Sequence, residues 1–154
     1  MPDSTPRIAE DTSLTLERRY KVAPQRVWEA WTQAATLSRW FGLEGCAVVN
    51  AELDVQVGGR YQIEIRTIEG PVAIVSGVYR EVRPYEKLVF TWAWSSTPEL
   101  ESLVSVTLRP SDTGTQLTLT HARFSNRTAC EQHTQGWTGS LVKLATLLNP
   151  PASQ

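Results

Sequence analysis

The sequence has few of the residues that indicate catalytic chemistry. It contains two cysteines, two histidines and one methionine. Cys46 and Cys130 lack the paired spacing of a zinc site, and two cysteines are too few for a disulfide framework. The spacing of residues indicates no Ser-His-Asp arrangement, no Cys–His pair, no metal-ligand cluster and no G-x-G-x-x-G loop. We therefore predict no catalytic residue, no metal and no cofactor.

The sequence also lacks a strong charge of either sign. Its formal net charge is -1 at pH 7. We expect neither nucleic acid nor an anionic membrane surface as a partner, because both select basic patches. The N-terminus has no apolar signal core, and no segment approaches the ~20 apolar residues of a membrane span. Together with the low cysteine content, these absences predict a protein of the reducing cytoplasm.

Tryptophan, by contrast, is abundant, with six in 154 residues. Such large rings line wide apolar concavities, and they also fill ordinary cores. The length is that of one domain. We assign residues 1–12 to a flexible N-terminal tail, residues 13–148 to a single domain, and residues 149–154 to a C-terminal tail.

Hydrophobic periodicity gives the order of the secondary-structure elements. Residues 13–22 alternate as a first strand. Pro24 opens a short helix, and a second short helix spans residues 36–40. About six further strands follow, joined by turns that contain glycine or proline. In the strand with the highest β propensity the large apolar residues share one face: Leu88, Phe90, Trp92 and Trp94.

A long amphipathic helix ends the chain. Thr128–Glu131 fits a capping box, in which Thr128 caps the helix and Glu131 reaches back. His133, in the first turns, is given no role. The small residues Gly136, Gly139 and Ser140 form helices poorly, which indicates that a sheet or a ligand approaches closely there. One apolar stripe runs along the helix: Trp137, Leu141, Leu144 and Leu148.

The order of elements predicts the fold class. Successive strands joined by short turns pair antiparallel, and the final helix must bury its stripe on the resulting sheet. We therefore predict an α+β fold in which a curved antiparallel sheet of about seven strands wraps around a long C-terminal helix. Two short helices follow the first strand.

Several motifs, taken in order, resemble a known family. They include Val27-Trp28-x-Ala30-Trp31, Trp40-Phe41-Gly42 and Gly136-Trp137. Further matches lie in residues 57–61, 77–92 and 115–121. Together they are similar to the Aha1 C-terminal-like proteins, named for an activator of the Hsp90 ATPase, within the START-like, Bet v 1-like (SRPBCC) superfamily. The resemblance covers residues 13–148.

The resemblance implies a helix-grip fold with a cavity between the sheet and the last helix. It implies no single function, because the superfamily includes lipid and hormone carriers, cyclases and hydrolases. True Hsp90 activators carry an additional N-terminal domain. Because the sheet of this chain begins near Ser13 and leaves no room for such a domain, Hsp90 is not the expected partner.

The candidate site consists of residues expected to face this cavity. One group would supply apolar contact area: Trp92, Trp94, Trp137 and Leu141. A second group would offer a polar contact that orients a ligand: His121, Tyr61 and Tyr79. A third group, at the end of the second short helix, would gate the mouth: Trp40 and Phe41. Each of these residues could instead serve only to pack the core.

Three functions are compatible with this site. The leading hypothesis is a monomer or homodimer that binds a small apolar or aromatic molecule in the cavity. The alternative is a protein-interaction module or Hsp90 co-chaperone-like factor, which predicts an exposed patch and no sizeable cavity. A second alternative is a cyclase- or hydrolase-like enzyme, which needs convergent polar groups with perturbed pKa values.

Overall fold

The computed structural model describes residues 13–42, 45–68 and 70–149. Within these residues, seven strands and three helices follow one another. They are β1 (Leu14–Tyr20), α1 (Pro24–Thr32), α2 (Ala34–Leu37), β2 (Ala47–Leu53), β3 (Arg60–Arg66), β4 (Val72–Arg83), β5 (Lys87–Trp94), β6 (Ser102–Ser111), β7 (Gly114–Ala122) and α3 (Arg127–Leu148). The predicted N-terminal tail, residues 1–12, and residues 150–154 of the predicted C-terminal tail lie outside the described residues.

The strands form one antiparallel sheet in the order β1-β7-β6-β5-β4-β3-β2. Every sequential pair from β2 to β7 is a direct neighbour, as short connections require. β1 instead pairs with β7 and forms one edge of the sheet, and β2 forms the other edge. The sheet curls into a half-barrel against the long helix α3, which confirms the predicted α+β helix-grip fold.

One face of the sheet supplies the core. Along β7, alternate residues are buried, from Thr115 through Leu117 and Leu119 to His121. β6 alternates in the same way, because neighbouring strands in register point equivalent residues to the same face. In β5 both faces are covered at the centre, since Val89 is buried as well as Phe90. The predicted two-residue pattern is thus confirmed, with β5 as the most enclosed strand.

Strands β4 and β5 approach each other so closely at Gly77 that this position requires glycine. A Cβ on Gly77 would lie 2.0 Å from the backbone oxygen of Thr91, a distance that no other residue tolerates. The Thr91 hydroxyl accepts a hydrogen bond from the Val78 backbone N–H at 2.8 Å. The Tyr61 hydroxyl donates to the Thr91 backbone oxygen at 2.5 Å. These bonds fix β3, β4 and β5 against one another beneath the site.

The two short helices bring aromatic residues onto the sheet. Helix α1 begins with Pro24 at its N-terminus, as predicted, and buries Val27 and Trp31 among others. Helix α2 ends at Leu37 rather than at residue 40, and hydrogen-bonded turns continue the chain, with the Phe41 N–H donating to Leu37 O at 3.0 Å. These turns direct Trp40 and Phe41 inward, and both are buried.

Helix α3 begins differently from the predicted capping box, which is wrong. The N-cap is Asn126, whose side-chain oxygen accepts a hydrogen bond from the Ala129 backbone N–H at 2.8 Å. Thr128 therefore lies inside the first turn. Asn caps as well as Thr does, so local sequence offered two equivalent starts. The predicted apolar stripe is confirmed, because Trp137, Leu141, Leu144 and Leu148 are all buried.

Candidate functional site

A partly open cleft of about 310 Å³ lies between helix α3 and strands β3, β4 and β5. We call it the aromatic cleft, because its largest lining side chains are Phe41, Trp92, Trp94 and Trp137. The remaining lining residues are Gly42, Cys46, Ile65, Thr67, Ala73, Gln132, His133, Gly136 and Ser140. None of these residues carries a formal charge at pH 7 when His133 is neutral.

Small residues on α3 create the space. Gly136 lines the aromatic cleft, and a Cβ built on it would meet no atom within 4 Å. One turn later, Ser140 accepts a hydrogen bond from the Gly42 backbone N–H at 3.0 Å. Ser140 also donates to Gly136 O at 2.9 Å. The poor helix formers in the sequence thus have separate roles, since Gly136 leaves the cleft open and Ser140 holds the loop after α2.

His133 joins α3 to β5 at the edge of the aromatic cleft. Its Nε2 accepts hydrogen bonds from the indole N–H groups of Trp92, at 3.3 Å, and Trp94, at 3.0 Å. Its Nδ1 lies 2.7 Å from the Ala129 carbonyl oxygen. An indole N–H can only donate, so Nε2 is unprotonated and Nδ1 carries the proton. Burial lowers the pKa of His133, against the opposing effect of the hydrogen bond to the Ala129 carbonyl.

His121 lies behind the cleft with the opposite tautomer. Its Nδ1 accepts from the Trp137 indole N–H at 2.9 Å, so the proton is on Nε2. Nε2 then donates to the Ser102 hydroxyl at 2.7 Å, and that hydroxyl donates to the Trp92 carbonyl oxygen at 3.3 Å. Burial lowers the pKa of His121 to about 2, with a smaller contribution from the nearby His133.

The hydrogen-bond directions decide what the Ser102–His121 pair can do. A general base must accept the nucleophile's proton through an unprotonated ring nitrogen. Here the nitrogen that faces Ser102 carries the proton, because Trp137 occupies the lone pair of the other. The imidazole therefore acts as a neutral bridge between β6, β7 and α3. In this arrangement the pair cannot activate the Ser102 hydroxyl for attack.

The tryptophan rings form a contiguous aromatic layer at the base of the cleft. Trp137 lies 5.2 Å from Trp92 and 5.7 Å from Phe41, between ring centroids. On its other side Trp137 stacks on Trp31 at 5.7 Å with an interplanar angle of 29°. Tilted and edge-on contacts at these distances are favourable. Since the indole N–H groups of Trp92 and Trp137 are bonded to histidines, their ring surfaces are what remains for a ligand.

The structure distributes the predicted site residues over three places. Four of them line the aromatic cleft: Phe41, Trp92, Trp94 and Trp137. His121 is fully buried behind Trp137 and does not line the cleft. Tyr61 and Tyr79 border a smaller pocket of about 10 Å³, which shares Phe41 and Trp92 with the aromatic cleft and has room for about one water molecule.

The remaining two belong to the packed core. Trp40 is fully buried and donates its indole N–H to Ala30 O at 3.0 Å. The expectation that it stands at the mouth as a gate is therefore wrong. Leu141 is also fully buried and does not contact the cleft. Both side chains lie beneath the aromatic layer, where strand and helix parity could not distinguish lining residues from core residues.

Sequence reasoning missed His133, Gln132 and Gly136 as lining residues. The signal that could have found them is helical spacing, since positions 133, 136 and 137 lie on one face of α3. His133 lies one turn before Trp137 and accepts from both tryptophans of β5. Gln132, next to it, is exposed, and its amide makes no hydrogen bond to any described residue.

Within residues 13–42, 45–68 and 70–149, no cluster of three or more His, Cys, Asp or Glu side chains could hold a metal ion. Among the same residues, no helix combines the length and the apolar character that a membrane crossing requires.

Comparison with solved structures places this fold among bacterial proteins of the same architecture. Protein CV1439 from Chromobacterium violaceum has a TM-score of 0.81 and 28% identity over 91% of this chain and 99% of that one. The AHSA1 (SPO3351) protein from Silicibacter pomeroyi has a TM-score of 0.80 and 32% identity, over 88% of this chain and 96% of that one. MLL2253 from Mesorhizobium loti follows with a TM-score of 0.73 and 27% identity, over 89% and 96%.

A search of the curated proteins finds no match. The sequence model of the family described as "Activator of Hsp90 ATPase homolog 1-like protein" matches residues 21–149. This span contains α1, α2, α3 and strands β2 to β7, and therefore every residue that lines the aromatic cleft. The chain belongs to the family of activator of Hsp90 ATPase homolog 1-like proteins.

Proposed function

We propose that this protein binds a small, uncharged, apolar or aromatic molecule in the aromatic cleft. The observation that carries the proposal is the lining itself, in which four aromatic side chains surround about 310 Å³ of space and no charged residue occurs among the described lining residues. Ligand sites are concave, mostly apolar and furnished with few polar groups. A protein-interaction module was expected to have no sizeable cavity, so the cleft favours the ligand-binding hypothesis over that alternative.

The size of the cleft sets the expected affinity. Its volume is at the lower end of the range of about 300 to 1,000 Å³ for ligand pockets, which suits a molecule of two fused or linked rings. Burial of roughly 200 Å² of apolar ligand surface at about 25 cal/mol per Å² contributes about 5 kcal/mol. That corresponds to a dissociation constant of about 0.2 mM from apolar burial alone. A hydrogen bond to the free Gln132 amide would strengthen binding and orient the ligand.

The proposal can be tested by filling the cleft without disturbing the fold. Gly136→Leu places an isobutyl group in the open space beside Gly136. Gln135→Leu adds the same side chain at an exposed position that does not line the cleft. The probe is N-phenyl-1-naphthylamine, an uncharged compound in which a naphthyl and a phenyl group are linked through nitrogen and whose fluorescence rises in apolar surroundings. We expect saturable binding to wild type and Gln135→Leu, and at least tenfold weaker binding to Gly136→Leu.

Loss of binding in Gly136→Leu would not reflect unfolding. Replacing a mid-helix glycine by leucine raises helix stability by about 0.8 kcal/mol, so urea denaturation should show an equal or higher midpoint for this variant. Equal probe affinity in all three proteins would refute the assignment of the site. The proposed function would be refuted if a fixed, low concentration of probe showed no saturable binding when wild-type protein is titrated to millimolar concentration.

A further inference from the structure

A second cleft, of about 380 Å³, adjoins the aromatic cleft. We call it the hydroxyl cleft, because Ser96, Thr97, Ser102 and Ser125 line it. Five residues line both clefts: Ala73, Trp92, Trp94, Gln132 and His133. The two spaces therefore meet along the hydrogen-bonded row in which Trp92 and Trp94 donate to His133.

The two clefts differ in the polar groups they leave free. In the hydroxyl cleft, the side chains of Ser96 and Thr97 make no hydrogen bond to any described residue. Ser102 is committed to His121 and the Trp92 carbonyl. In the aromatic cleft the Thr67 hydroxyl is committed to Pro71 O at 2.8 Å. Among the described lining residues, the hydroxyls that keep both a free donor and free acceptors are those of Ser96 and Thr97 at the hydroxyl end, and the Gln132 amide lies at the junction.

The row between the clefts contributes surface rather than polarity. Trp92 and Trp94 direct their indole N–H groups to His133 Nε2, whose lone pair they share. The remaining ring nitrogen of His133 is bonded to Ala129 O. A ligand that spans both clefts would pass the aromatic edges and faces of Trp92, Trp94 and His133. The middle segment of such a ligand should therefore be apolar.

We propose that the two clefts are one site for an elongated, uncharged molecule, with its aromatic end in the aromatic cleft and a hydroxyl or carbonyl group at Ser96 and Thr97. This inference rests on the proposed function and specifies its ligand class. Among the described residues that line the two clefts there is no Asp, Glu, Lys or Arg. A carboxylate or phosphate would lose hydration there without gaining a partner charge. The class is that of neutral aryl-alkyl alcohols and ketones rather than acids or phosphate esters.

Three probes of related shape test the proposal by isothermal titration calorimetry. They are 2-ethylnaphthalene, 4-(2-naphthyl)butan-1-ol and 4-(2-naphthyl)butanoate. The double variant Ser96→Ala/Thr97→Val removes both free hydroxyls with little change in shape. We expect the alcohol to lose about fivefold in affinity in this variant, the loss of about one hydrogen bond, while 2-ethylnaphthalene changes less than twofold. We expect the butanoate to bind wild type at least tenfold more weakly than the alcohol.

The outcomes distinguish failure of the extended site from failure of ligand binding in the aromatic cleft. If 2-ethylnaphthalene binds wild type and is lost in Gly136→Leu, but the alcohol binds the double variant as tightly as wild type, the extended site is refuted and the aromatic cleft stands. If the butanoate equals the alcohol, the uncharged ligand class is refuted. If none of the three probes binds wild type, the proposed function fails and this inference fails with it. The substituted side chains form no hydrogen bonds with described residues, so the double variant should fold like wild type.

Discussion

His121 should make the stability of this protein depend on pH well above the range where carboxylates titrate. Its imidazole is fully buried, and its Nδ1 accepts the Trp137 indole N–H. Protonation of Nδ1 would place two N–H donors face to face in a dry interior, which adds to the desolvation cost of the charge. Desolvation by burial, with a smaller contribution from the nearby His133, holds the pKa of His121 at about 2 in the folded protein. In the unfolded chain the pKa is about 6.5.

The sign follows from proton linkage. Below about pH 6.5 the unfolded chain takes up a proton on His121 that the folded protein refuses, so stability falls as pH falls. The loss continues until the pH reaches the folded pKa of about 2. Between pH 7 and pH 5 the expected loss from this one residue is about 2 kcal/mol. That is a large fraction of the 5–15 kcal/mol that stabilises a typical domain.

The matched variant is His121→Gln, which cannot titrate and keeps an amide that can accept from Trp137 or donate to Ser102. The assay is urea denaturation followed by far-UV circular dichroism at half-unit steps from pH 7 to pH 5. Wild type should lose about 2 kcal/mol more than His121→Gln over this range, because all other groups, including His133, titrate in both proteins. Parallel pH profiles for the two proteins would refute the reasoning that His121 is buried as a neutral bridge.

Other consequences of the geometry concern stability. Gly77→Ala should destabilise by at least 3 kcal/mol, because the new Cβ would overlap a backbone oxygen of β5, whereas Gly136→Ala should stabilise by about 0.8 kcal/mol in open space. Urea midpoints of the two variants check both signs, and a neutral Gly77→Ala would contradict the close approach. Tyr20→Phe should stabilise by about 1 kcal/mol, since it removes a buried hydroxyl that has no hydrogen-bond partner among the described residues; thermal denaturation measures this, and a lower midpoint would mean that the hydroxyl is satisfied. Asn126→Ala should lower the free energy of unfolding by about 1 kcal/mol, and Thr128→Ala should lower it by less than 0.5 kcal/mol. The reverse ranking by thermal denaturation would support Thr128 as the N-cap.

Strand and helix periodicity determined the architecture. Alternation along β6 and β7 requires a sheet with one buried face. The stripe from Trp137 to Leu148 requires a helix that covers that face. Both are short-range patterns, in which residues two, three or four positions apart share a surface. The connections between strands are short, so the neighbour order from β2 to β7 also followed from sequence alone.

The placement of each aromatic ring was decided by tertiary structure. Trp40 and Trp92 are both large, apolar and buried, yet only Trp92 lines the aromatic cleft. The difference depends on which elements meet above each ring. Periodicity assigns a side chain to a face of its element, but it does not say whether the space over that face is filled or empty.

The chemistry of the two histidines was decided in the same way. Trp92 and His133 are 41 positions apart, and Ser102 and His121 are 19 apart. Sequence therefore allowed His121 to be a ligand contact or a core residue, and no role was predicted for His133. Only the folded chain brings donor-only indoles onto one nitrogen of each ring, which fixes opposite tautomers, keeps both imidazoles neutral and leaves the cleft uncharged. Short-range patterns in the sequence predict a curved sheet around a helix, whereas long-range hydrogen bonds and packing place the opening in that fold and the side chains that line it.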